Sequence, residues 1–124
     1  MASYIVDSCV FIDIFRGDSV IANSLLNNTI YVSDLVAMEL YQGASSKKEL
    51  QIIQHYLSSF QPLPITETIS EATKLLMLQF SKSHGLQIPD AFVAASSLES
   101  GITLFTYNVR DFKFIPGINI TATI

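Results

Sequence analysis

Four carboxylates stand where the pattern of the chain can aim them at one place. Asp7 directly follows the β-forming run Ser3-Tyr4-Ile5-Val6, and Asp111 lies a few residues beyond a second run, Thr103-Leu104-Phe105-Thr106. Glu39 sits in a helical stretch where, at about 3.6 residues per turn, it shares its face with Leu35, Val36 and Gly43. Asp90 follows Pro89 at the start of another helix, beside Ala91, Val93 and Ala94, small enough to let another group come close. A carboxylate on an apolar face is costly unless something neutralises it. Donor sets made only of carboxylate oxygens select hard cations, Mg2+ or Mn2+, over zinc. Taking these four away from the eleven acids leaves seven, which balance the seven bases. Two divalent ions would cancel the four charges and would let an acidic protein hold phosphate.

Other chemistries lack their parts. Cys9 is the only cysteine, which excludes a disulfide framework and a cysteine-rich zinc site. It reads as a packed small residue, inert when buried. Six residues separate Cys9 from Arg16, with none of the glycines of a cysteine-phosphatase loop, and Cys9 stands where an Asp-x-Asp phosphotransferase needs its second acid. There is no glycine-rich lysine loop for a nucleotide. His55 and His84 read as helix-surface and helix-end residues without metal-ligand spacing. A net charge of −4 argues against a broad basic face for nucleic acid. Arg16, Arg110 and Lys113 remain available to touch phosphate. Asp13, Asp18, Asp34, Glu49, Glu67 and Glu71 are expected at surfaces, turns or helix caps, and Glu99 in solvent.

The elements that must position the acids alternate. Strands are expected over 3–6, 29–32 and 103–106, with a weak strand over 62–65 and an edge strand over 119–124. Helices are expected over 9–15 (capped by Ser8 and ended by Gly17), 19–26, 34–42, 46–60, 67–83 and 89–100, the last opened by Pro89 and closed by Gly101. Such alternation predicts a central parallel sheet of four to five strands in a three-layer α/β/α fold, one domain over 1–124. Ligands of such sheets gather outside the carboxyl ends of the strands, where strand order reverses. Asp7 and Asp111 would both be delivered there.

In this order the segments resemble the PIN-domain ribonucleases, especially VapC-type toxins of toxin–antitoxin pairs. The resemblance rests on four blocks: Tyr4-Ile5-Val6-Asp7-Ser8-Cys9-Val10-Phe11-Ile12-Asp13, Val36-Ala37-Met38-Glu39-Leu40-Tyr41-Gln42-Gly43, Ile88-Pro89-Asp90-Ala91-Phe92-Val93-Ala94-Ala95, and Leu104-Phe105-Thr106-Tyr107-Asn108-Val109-Arg110-Asp111-Phe112. It implies a metal-dependent endoribonuclease with Asp7, Glu39, Asp90 and Asp111 as the acidic quartet. Ser8, Thr106 and Asn108 match positions that orient ligands, and Arg110 joins them on the substrate side. Cys9 and Tyr107 depart from the commoner residues at their places. The implied reaction is in-line attack of a cation-activated water on an RNA phosphodiester. An inactive PIN-like module acting only through a protein partner stays open as the alternative, although mutually repelling acids give such a module nothing.

The resemblance also implies a homodimer and a cognate antitoxin. The apolar stripes of helices 19–28 and 46–60, the latter carrying Leu50, Ile53 and Leu57, are the candidate surfaces, unless they face the protein's own core. No run nears the roughly 20 apolar residues of a membrane span, and no targeting segment is visible, so a cytoplasmic protein is expected.

Overall fold

The structure, a computed structural model, describes residues 2–124. The chain runs β1 (Ser3–Val6), α1 (Ser8–Phe15), α2 (Ser19–Leu26), β2 (Thr29–Ser33), α3 (Asp34–Gln42), α4 (Lys47–Leu57), β3 (Gln61–Leu63), α5 (Glu67–Phe80), α6 (Ile88–Ser100), β4 (Thr103–Phe105), a 3-10 turn (Val109–Asp111) and β5 (Ile120–Thr121). The five strands form one sheet in the order β3-β2-β1-β4-β5, and every neighbouring pair is parallel. The first three strands step one way from β1. The α5–α6 pair then carries the chain back across to β4 on the other side of β1. Strand order therefore reverses between β1 and β4.

Consecutive residues of a strand point to opposite faces. Ile5 and Val6 in β1, and Leu104 and Phe105 in β4, all have no solvent exposure, so helices cover both faces of the sheet at its centre. This is the three-layer arrangement that the alternation predicts. One core cluster joins these strand residues to Val10 and Phe11 of α1, Val36 of α3 and Ala91, Val93, Ala94 and Ala95 of α6. The small residues of α6 let it lie deep: five consecutive residues, Val93 to Ser97, are buried. α3 touches α1, α4 and α6, which sets Glu39's helix between the helices that begin at Asp7 and near Asp90.

Several boundaries differ from expectation for local reasons. Ser8 is the first helical residue of α1, and Asp7 is the cap, its Oδ1 accepting from the Ser8 N–H at 2.8 Å. β3 begins one residue early and has three residues; β5 has two. α4 stops at Leu57, where the Ser58 hydroxyl donates to the His55 carbonyl and draws the chain into a turn. Ile53 and Leu57 of the α4 stripe are buried in the core and Leu50 is half-buried, so that stripe belongs to the protein's own interior. On α1 and α2, by contrast, Ile12, Phe15, Val20 and Leu26 remain exposed. Among the described residues no helix is long and apolar enough to cross a membrane.

Candidate functional site

Asp7 leaves β1 at the point of strand reversal, its N–H still donating to the Phe105 carbonyl across the β1–β4 pair at 3.0 Å. Its extended backbone (φ −75°, ψ 158°) turns directly into α1. The carboxylate is 5% exposed and both oxygens are engaged: Oδ1 by the Ser8 N–H, Oδ2 by the Thr106 hydroxyl at 2.8 Å. Thr106 has no exposure at all and in turn accepts the Asn108 N–H at 3.1 Å. Burial pushes the Asp7 carboxyl above its ordinary range; the hydrogen bonds from Thr106 and Ser8 pull it back, and the charge of Asp111 raises it further. Cys9 Sγ lies 3.8 Å from Asp7 Oδ2 and 3.6 Å from Thr106 Oγ1. Burial pushes this half-buried thiol up too, which favours its protonated form.

The other three acids arrive from separate elements. Glu39, half-buried on α3, is raised by burial and then by the charge of Asp7. Asp90, in the first turn of α6, is pushed up to about 6 by burial and then by the charges of Asp7, Asp111 and Glu39. Asp111 closes the 3-10 turn beyond β4, its N–H donating to the Asn108 carbonyl at 2.9 Å. The fold thus brings acids spread over more than a hundred residues of chain within reach of one another's charge. Among the described residues no three Asp, Glu, His or Cys side chains form a closed set of metal ligands. Like charges hold carboxylates apart until a cation sits between them. The charges of three other acids, acting with burial to raise Asp90, mark negative charge at this place that no basic side chain among the described residues pairs. A hard divalent cation, with its preference for oxygen donors, fits that set.

The remaining sequence candidates divide between two clefts. Arg110 and Lys113 line a cleft with Asp90 and Asp111, whereas Arg16 lines a separate one with Glu39 and Glu49. Asp18 caps α2 through the Ile21 N–H and Glu49, exposed in the first turn of α4, accepts from the Ser45 hydroxyl, within the surface, turn or capping places expected of them. Sequence reasoning missed His84, whose ring stacks on Phe114 at 4.3 Å in the Arg110 cleft. Nothing in the local pattern could have found a contact spanning thirty residues.

A family model described as PIN domain matches residues 4–117. The chain is 29% identical over 120 residues to Ribonuclease VapC19 of Mycobacterium tuberculosis, covering 92% of this chain and 95% of that protein. Among solved structures it resembles a toxin–antitoxin complex from Klebsiella pneumoniae (28% identity, TM-score 0.77, 96% of each chain). It also resembles VapBC2 from Rickettsia felis bound to a DNA fragment from its promoter (25% identity, TM-score 0.76, 96% of this chain and 97% of that one).

Proposed function

The chain belongs to the PIN domain family, and from that premise we propose that it is a metal-dependent endoribonuclease, the toxin of a VapBC-type pair. In this reading residues 1–124 act as a single domain in the cytoplasm. Asp7, Glu39, Asp90 and Asp111 hold Mg2+ or Mn2+, and an RNA phosphodiester is the substrate. The observation that carries it is Asp90, pushed up to about 6 beside three acids that come from elsewhere in the chain. Ribonuclease VapC19 and the Klebsiella pneumoniae complex support the activity and the antitoxin partner.

When bound, a divalent cation supplies there the positive charge and the activation of water that phosphodiester hydrolysis needs. The chain's own part is positional. The Ser8 N–H and the Thr106 hydroxyl fix the Asp7 carboxylate in a single orientation. The Asn108 N–H fixes that hydroxyl in turn. Glu39 and Asp90 bring oxygens from two helices packed on each other, and Arg110 offers a guanidinium to a phosphate of the strand. A homodimer and an antitoxin would cover apolar surface that the fold leaves open, including Val20 and Leu26 on α2 and Leu75 and Leu78 on α5.

The test is cleavage of RNA by the purified protein with Mg2+ or Mn2+. Cleavage should vanish with EDTA and in Asp7→Asn. Metal-independent cleavage that survives this substitution would reject the assignment, and absence of cleavage under all metals would leave a binding module.

A further inference from the structure

Beside Asp90 and Asp111 lies a cleft of about 710 Å3, walled by the segment between α5 and α6 and by the residues that follow β4. His84 and Phe114 form one part of its lining, Arg110 and Lys113 another. The His84 ring lies on Phe114 with planes 15° apart, and Phe80 meets His84 edge-on at 5.5 Å and Phe114 at 5.1 Å. Ser83 Oγ reaches His84 Nδ1 at 2.8 Å. The imidazole is therefore held on one face, one edge and one nitrogen while the residue stays exposed. Such a fixed aromatic surface loses little freedom when something stacks on it.

The two cations are also uncommitted. Arg110 and Lys113 are exposed, and among the described residues the only ion pair is Lys74–Glu71, at 2.9 Å on α5. In a chain of net charge −4, two bases have been placed in the cleft of two candidate ligand acids without pairing to either. That arrangement suits a polyanion approaching the acids from this side. A base inside a duplex is already stacked and paired, so an aromatic platform takes only a base from a single strand.

We propose that the His84–Phe114 stack carries one base of the RNA strand next to the phosphate that is cut, with Arg110 and Lys113 on the phosphates that flank that base. The proposal rests on the nuclease reading above. The cleft's volume lies within the range of about 300–1,000 Å3 typical of small-ligand pockets, room for a nucleotide.

Two measurements test it together: anisotropy of a fluorescein-labelled random-sequence RNA of about ten nucleotides in Ca2+ buffer, between about 50 and 200 mM salt, and KM and kcat for cleavage with Mn2+. Removing two phosphate contacts in Arg110→Ala/Lys113→Ala should lower the slope of log affinity against log salt by about 1.4, since each contact on a single strand contributes about 0.7. KM should rise by a larger factor than kcat falls. His84→Ala should weaken binding about 5- to 10-fold with the salt slope intact, the low end of a lost stacking contact, and His84→Phe should restore it. If wild type cleaves RNA while all these variants bind and cleave as it does, the cleft is not the strand path and the nuclease reading stands. If the complementary duplex binds as tightly as the single strand, the stacking role fails. A wild type that neither binds nor cleaves RNA overturns both.

Discussion

Thr106 is fully buried, and its hydroxyl donates to Asp7 Oδ2 at 2.8 Å. Thr106→Val keeps the shape and removes the donor, leaving a buried carboxylate oxygen short of a partner at about 1–3 kcal/mol. The expected result is a lower urea midpoint and at least tenfold slower cleavage, with Thr106→Ser recovering most of both. A Val variant as stable and active as wild type would show that Asp7 needs no such support. Asp90 gives a second prediction. Its carboxyl titrates near 6 in the fold against an ordinary 3.8, so the fold favours its protonated form. The stability from this shift is fully present below pH 3.8 and is lost as pH rises through about 6. Asp7 and Glu39 are raised as well and act in the same direction. In EDTA the melting temperature of wild type should therefore fall between pH 5 and 7.5. Asp90→Asn should flatten that fall and melt higher at pH 7.5 while losing cleavage. A wild-type melting temperature that holds or rises over that interval contradicts the charge crowding. This is stability given up at a functional site.

At the scale of elements, the join between α6 and β4 matters because it sets Asp90's helix against the strand that leads to Asp111. Only Gly101 and Ile102 make that join, and Gly101 has φ +72°, the left-handed conformation that ends a helix. A Cβ there would meet no atom within 4 Å, so Gly101→Ala adds backbone strain and no clash. It should cost about 1–2 kcal/mol, read by urea denaturation, with kcat at 20 °C unchanged; a neutral substitution would show that the join tolerates another path. Much of this scale was legible from residues alone. β1 and β4 announce themselves as β-branched and aromatic runs stopped by polar residues, and Pro89 and Gly101 bracket α6 almost to the residue. β3 and β5 are short edge strands whose pairing is decided by their neighbours, so their sequence carries little signal. The 3-10 turn at Val109–Asp111 depends on Asn108 bonding locally after a strand end fixed by Asp7 and Thr106. Asp7 and Asp90 could be read because they sit at a strand end and a helix start, Asp111 because it closely follows a strand, and Glu39 because it interrupts the apolar face of α3. The His84–Phe114 stack and the approach of Cys9 to Thr106 could not, because they exist only once distant segments pack.

Taken as a whole, the molecule concentrates its excess negative charge: outside the quartet, acids and bases are equal in number. The unfolded chain disperses those four charges, and the folded chain collects them where Asp90 is held half-protonated near pH 6. A divalent cation should consequently bind the native state far better than the unfolded one, and any such ligand stabilises by mass action. At about one hundred times its dissociation constant the gain is about 2.7 kcal/mol. For a domain of this size that corresponds to a rise in melting temperature of roughly 10 °C. Scanning wild type at pH 7.5 against increasing Mn2+ should show this rise, approaching the form RT ln(1 + [Mn2+]/Kd). The rise should shrink at pH 5, where protons compete for the same oxygens, and should nearly disappear in Asp7→Asn/Asp90→Asn, which removes two of the four charges. Equal amounts of ionic strength supplied as KCl should not reproduce it, since screening acts on every surface charge and not on one cluster. A wild type whose melting temperature ignores Mn2+ at pH 7.5, or a double variant that responds as strongly as wild type, would mean that the cation is not held by these acids.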